Sequence, residues 1–219
     1  MHVGILGGTG PAGRGLALRL AVAGVDVVMG SRSAERAADV CDELRAKWPE
    51  ADYEITPGDN AAAAEADIVV VATPWDAAAS TAGSVAASLD GKVVVSMANA
   101  LARVGKEFEP LVPPRGSVAA HVQSALPKSF VAAALHHVPA RSLGDLNTTL
   151  EGDVLVCSDH PEALKVTVGL VRRLPGLRPL IAGSLSNAAP IEAFTAVLLE
   201  LNTRYRAHTA LRIIGVDGE

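Results

Sequence analysis

Apolar residues in the first hundred positions follow two alternating rhythms. Short apolar runs, Val3–Leu6, Val25–Met29, Ile68–Ala72 and Val93–Val95, read as strands, and the continuous run Ile68–Ala72 as one covered on both faces. Between them apolar positions recur at helical spacing. Gly10–Ala23 carries Leu16, Leu20 and Ala23 and stops at Gly24, a natural helix end. Ser33 can cap a helix with Ala37, Val40, Cys41 and Leu44 on one face, ended by Trp48-Pro49. Tyr53–Thr56 reads as a short strand. Asp59 can cap an alanine-rich turn reaching Ala66, and Asp76 a helix through Leu89 that Gly91 breaks. The order βαβαβαβαβ predicts a parallel sheet with right-handed crossovers.

The pattern then loosens. Asn99–Pro114 mixes charges, Gly105 and three prolines, and is expected to be a long loop over the sheet edge. Ser117–Leu126 predicts a short amphipathic helix. Phe130–His136 predicts a strand, with His136 and His137 at its C-terminal end. The last third repeats the alternation. Val154–Cys157 is a strand, and Asp159 can cap a helix with Pro161 in its first turn. Arg178–Ile181 is a further strand. Ser184 or Ser186 opens a long helix through Ile191, Phe194, Val197, Leu198 and Leu201, ending near Gly215. The fold class expected is α/β, a doubly wound (Rossmann) parallel sheet over residues 1–145 with a small C-terminal α/β domain over 146–219.

Composition narrows the function classes. Of 219 residues, 49% are hydrophobic and only 3% aromatic, so the core must be Ala, Val and Leu. The net charge of -5 argues against a nucleic-acid partner, which needs a basic face. Cys41 and Cys157 fit neither a disulfide framework nor a zinc pattern, and are expected to be packed free thiols. No apolar run spans a bilayer. The chain begins directly on a strand, which argues against a leader; the cytoplasm is the expected compartment.

Gly8-Thr9-Gly10-Pro11-Ala12-Gly13 then gains meaning from its place. It is G-x-G-x-x-G between a strand and a helix. The first glycine permits the turn, the second admits a pyrophosphate, and the third lets helix and strand pack closely. The helix start offers N–H groups to phosphates, and Pro11 loses nothing in a first turn. The end of the second strand selects the dinucleotide. An NAD site places a carboxylate there, but this chain has Gly30-Ser31-Arg32, with Arg36 one turn on. Guanidinium groups bind a 2′-phosphate, so NADP is expected, with Ser31 and Thr9 as neutral donors. Thr73-Pro74-Trp75 leaves the fourth strand above the crevice, where Trp75 either covers the cofactor or packs in the core.

Several stretches together resemble the NADPH-dependent coenzyme F420 reductases (F420:NADP oxidoreductases). They are Gly7-Gly8-Thr9-Gly10, Gly15–Leu20, Gly30-Ser31-Arg32, Pro74-Trp75, Ala134-Leu135-His136 with Pro139-Ala140, and Leu177-Arg178-Pro179-Leu180 with Gly183–Asn187. The resemblance implies reversible hydride transfer between NADPH and coenzyme F420, a deazaflavin. It implies phosphates at Thr9–Ala12, with Trp75, Ala79 and Ala140 along the cofactor. It implies His136, Leu185, Ser186, Asn187 and Ala210 on the deazaflavin side. Ser96–Leu101 departs from the family pattern. His136 is the candidate to donate or orient a proton near neutral pH, its other reading being a strand-end histidine satisfied by backbone. The long last helix carries an apolar stripe suited to its own sheet or to a homodimer. Two other readings remain at this stage: an NADP-dependent reductase of a small imine or carbonyl compound, and a non-enzymatic NADP sensor.

Overall fold

A computed structural model describes residues 1–216. Strands β1 (His2–Leu6), β2 (Asp26–Ser31), β3 (Ile55–Asp59), β4 (Ile68–Val71) and β5 (Val93–Ser96) alternate with helices α1 (Pro11–Val22), α2 (Ala34–Lys47), α3 (Asn60–Ala64), α4 (Trp75–Ser84) and α5 (Ala86–Leu89). A hairpin of β6 (Leu101–Val104) and β7 (Glu107–Pro110) follows, then α6 (Val118–Ala125), β8 (Phe130–Ala133) and α7 (Ala140–Leu143). Next come β9 (Gly152–Ser158), α8 (Pro161–Val171), β10 (Leu177–Ile181), a single 3-10 turn at Leu185–Asn187, and α9 (Ala188–Tyr205).

One eight-stranded sheet has the order β10-β9-β8-β5-β4-β1-β2-β3. All its pairings are parallel except β8–β9, where Ala132 and Ala133 face Ser158 and Cys157. The expected doubly wound α/β sheet is present. Residues after 145 add β9 and β10 to the edge of this same sheet. Strand order reverses between β1 and β4, whose register pairs Val3 with Ile68 and Leu6 with Val71. Ligands of such sheets lie over the strand ends at that reversal.

The strand runs are buried because both sheet faces are covered. Val3 and Ile5 belong to one core, with Leu16, Leu20 and Met29; Leu6, Val69 and Val71 belong to the other, with Ala63, Ala78 and Val122. Helix α3 lies so close to β1 that a Cβ on Gly4 would stand 1.8 Å from the Ala63 carbonyl oxygen. The expected face of α2, Ala37, Val40, Cys41 and Leu44, is buried, with Ser33 Oγ accepting from Arg36 N–H at 3.2 Å.

Several expectations change; Asp76, for one, lies inside the first turn of α4, whose N-cap is Pro74, and α4 stops at Ser84. Asn99–Pro114 is a hairpin that turns at Gly105, whose φ is +64°. Its strands are mostly exposed and carry no strong alternation, so pairing and packing on α9 define them. The strand expected to reach His136 ends at Ala133, since Leu135 at φ +66° turns the chain away. Asp159 does not cap α8; its carboxylate accepts from Leu185 N–H at 3.0 Å. The last helix ends at Tyr205, where Arg206 takes a left-handed conformation. The chain then runs back along β9, where Asp153 N–H donates to the Leu211 carbonyl. Among the described residues no helix is long and apolar enough to cross a membrane.

Candidate functional site

The loop after β1 is held by its own backbone. Gly8 N–H donates to the Gly30 carbonyl at 2.7 Å, and Gly7 N–H to Asn60 Oδ1 at 3.1 Å. The three motif glycines differ in what they avoid. A Cβ on Gly13 would lie 2.8 Å from Gly8 Cα, so this glycine serves helix-to-loop packing. A Cβ on Gly8 would meet Met29 Cγ at 2.9 Å. A Cβ on Gly10 meets nothing nearer than 3.6 Å. The protein itself does not require glycine at position 10; a ligand lying on the backbone there would.

Gly10 is the N-cap of α1, with no side-chain cap and no acidic residue in the first turn. The helix start therefore presents Ala12 and Gly13 N–H groups with the dipole's positive end behind them. Thr73 closes the opposite side, against Gly7, and its buried Oγ1 has no hydrogen-bond partner. An orphaned hydroxyl beside an open helix start suits phosphate oxygens. At the end of β2, Ser31 is buried and Arg32 is exposed, with no ion pair among the described residues. Arg36 is 3.7 Å from Glu43, which also pairs with Arg14 at 3.2 Å.

A cavity of about 200 Å³ opens beside Ala12, lined also by Met97, Asn99, His136, Ala140, Thr195 and Asn202. The segment that follows Ala140 is fixed to α1 by Arg19. Its guanidinium donates to the carbonyls of Leu143, Ser142, Asp145 and Thr148 at the end of α7. Gly15 allows this approach, since a Cβ there would stand 2.8 Å from Gly144 N. In the cavity, Asn99 Nδ2 donates to the His136 carbonyl at 2.8 Å, and Thr195 Oγ1 donates to Asn99 Oδ1 at 3.2 Å.

His136 itself corrects an expectation. The residue is 4% exposed, and neither ring nitrogen has a hydrogen-bond partner among the described residues. Burial, aided by His137 alongside, pushes its pKa down to about 3. The ring is neutral at neutral pH and holds no imidazolium proton to give, so the expected proton donor is a neutral hydrogen-bonding group. His137 is occupied, its Nε2 lying 2.7 Å from the Asp153 carbonyl oxygen.

The other expected residues are dispersed. Ala210 lines a second cavity of about 390 Å³ that shares the wall His137-Val138-Pro139 with the first. Leu185 and Ser186 border a separate surface depression with Arg115 and Gln123. Asn187 points back into its own turn, Nδ2 donating to the Ala182 carbonyl. Trp75 is half-buried against the core, and with Ala79 it borders a small cleft beside Pro113 and Pro114; Pro74 is the N-cap of α4. Asn99, Thr195 and Asn202 were not anticipated. The available signal was Thr195 and Asn202, polar residues two turns apart and so on one face of the last helix.

A family model described as NADP oxidoreductase, coenzyme F420-dependent, matches residues 2–100. An F420-dependent NADP reductase of Methanocaldococcus jannaschii is 37% identical over 99% of this chain and all of its own length. A second F420-dependent NADP reductase, of Methanothermobacter marburgensis, is 34% identical over 96% of each chain. A crystal structure from Arthrobacter sp. FB24, provisionally named an F420-dependent NADP reductase, superposes with a TM-score of 0.81 at 23% identity, covering 99% of this chain and 100% of that one. That structural likeness speaks for the fold. The sequence identity, sustained from end to end and joined to the family match over residues 2–100, makes this chain a member of the F420-dependent NADP reductase family.

Proposed function

We propose that this protein transfers hydride between NADPH and coenzyme F420, with the reacting rings meeting at the cavity between Ala12 and α9. The observation that carries the reading is the open start of α1 standing directly beside a cavity whose buried His136 ring has no protein partner. Bound there, the nicotinamide and deazaflavin supply the redox chemistry themselves. What the chain must do is bind, orient and exclude water.

Gly8 to Gly13 and Thr73 would hold the pyrophosphate, and Ser31, Arg32 and Arg36 the 2′-phosphate. Ala12 and Ala140 leave room for two flat rings with reacting atoms about 3–3.5 Å apart. His136 would accept or donate one hydrogen bond to a ring edge as a neutral imidazole. Leu135 and Leu198, both buried, keep the cavity dry. Residues 146–219 would work as a unit that supplies this far wall. Ala210 in the adjoining cavity would then complete the deazaflavin side, whereas Leu185–Asn187 would need a second chain or a rearrangement to reach it.

The chain would act as a homodimer. Phe194, Val197 and Tyr205 on α9 and Val104, Leu111 and Val112 around the hairpin are exposed apolar side chains on packed neighbours, a surface that a second copy can cover. Light scattering at the mass of one chain would overturn this. Two free, buried thiols support the cytoplasm as the compartment.

The deciding experiment mixes the protein with NADPH and coenzyme F420 and follows the deazaflavin absorbance, with a cyclic imine in parallel. Loss of deazaflavin absorbance is expected. Turnover of the imine alone would favour the other reductase class, and NADPH binding with no turnover of either would favour a sensor.

A further inference from the structure

Asp153 and Glu192 are the buried carboxylates among the described residues. Asp153 is matched by Arg178, at 2.7 and 2.8 Å. Glu192, 3% exposed in the first turns of α9, is held differently. Its two oxygens accept from Val118 N–H at 2.8 Å and Ala119 N–H at 3.1 Å. With Ser117 Oγ accepting from Ala120 N–H, this closes the start of α6. Nothing in the proposed chemistry uses Glu192 directly, yet burying it carries a desolvation cost.

Its place along the helix shows what it reaches. Thr195 lies one turn further on the same side of α9, 7% exposed, and donates to Asn99. Asn99 in turn donates to the His136 carbonyl. A helix turn is stiff, so a displacement at Glu192 passes to Thr195. We propose that Glu192 is a positioning residue for hydride transfer: by clamping the start of α6 it sets the depth of α9, and so the placement of Thr195, Asn99 and the His136 segment around the reacting rings. This rests on the reading of that cavity as the deazaflavin site.

Glu192→Gln tests it. The glutamine has the same length, but its amide NH2 must face one of the two N–H donors, so the clamp loosens without removing bulk. Deazaflavin kcat/KM is expected to fall about tenfold, since small misplacements of a reacting pair carry large rate penalties. The NADPH dissociation constant, set at the other side of α1, stays within about twofold. Glu192→Asp keeps the charge and should retain more activity than the glutamine variant; it also carries the test if the glutamine variant does not fold. Unchanged deazaflavin kcat/KM in Glu192→Gln overturns the proposal. So does a parallel loss of NADPH affinity, which would mean general damage. No deazaflavin turnover by the wild type removes the functional reading and this proposal with it; turnover that is indifferent to both substitutions removes this proposal alone.

Discussion

Helices α1 and α6 start with the same need and meet it in opposite ways. Each leaves backbone N–H groups unpaired at its positive end. At α6 the protein supplies the acceptors: Glu192 takes Val118 and Ala119, and Ser117 takes Ala120. At α1 nothing is supplied. Gly10 has no side chain, Pro11 has no N–H, and the first turn holds no acid. The closed start fixes one helix against another for good. The open one leaves its N–H groups to a ligand, and on the reading proposed above that ligand is the cofactor's phosphates. The cost of the closed arrangement is visible in its carboxyl: burial pushes Glu192 up to about 7, only partly countered by its two N–H donors.

The sharpest way to break the comparison is to fill the open start. Gly10→Val adds carbons where the protein has space, so stability should change by about 1 kcal/mol or less. NADPH affinity should fall about a hundredfold or more, because N–H bonds to charged phosphate oxygens contribute about 1.5–3 kcal/mol each. Gly13→Ala should do the reverse first, lowering the thermal midpoint through its collision with Gly8. Calorimetry of both variants decides; unfolding of Gly10→Val with normal NADPH affinity would erase the distinction between the two glycines.

A smaller effect separates the ends of the cofactor. Arg32→Ala is expected to weaken NADPH binding about tenfold to a hundredfold through one charge-assisted contact. NADH, which lacks the 2′-phosphate, should bind within about twofold of the wild type. Equal losses for both would remove the 2′-phosphate role.

The smallest effect concerns the closed start and is read from pH. Glu192 ordinarily titrates at 4.5, so between 4.5 and about 7 the unfolded chain has released a proton that the native state keeps. Native stability therefore falls as pH rises through that window. His136 works in the opposite sense. Lowered from 6.5 to about 3, it refuses a proton that the unfolded chain takes up, so stability falls as pH drops below 6.5. The two slopes offset each other between 4.5 and 6.5. Glu192→Gln removes the first, and urea midpoints across that range should then rise with pH more steeply than in the wild type. Cys157, the titratable neighbour on β9, has its thiol pushed up to about 11 by burial and by Glu192, and stays neutral throughout. Identical slopes in variant and wild type would show that Glu192 does not titrate in this window.

The phosphate loop was legible because its information is local. Gly8, Gly10 and Gly13 stand within one turn, and the strand before and helix after them announce themselves by spacing. The buried face of α2, Ala37, Val40, Cys41 and Leu44, was legible for the same reason. The hairpin at residues 101–110 was not, because its strands are held by each other and by α9. Nor was the grouping of the deazaflavin-side residues. Leu185 and His136 can be named from family likeness, but only chain geometry shows that they border different hollows.

By itself, then, the sequence determined the alternation of strands and helices in the first half, the doubly wound parallel sheet and the glycine loop between β1 and α1, all consequences of residues within a few positions of one another. Tertiary structure alone decided the cavity beside Ala12 and the residues that line it. Thr195 meets Asn99 across 96 positions and Glu192 meets Val118 across 74, contacts that no periodicity encodes. It also decided the state of His136, since a histidine's charge depends on how much water and which neighbours the folded chain leaves around it.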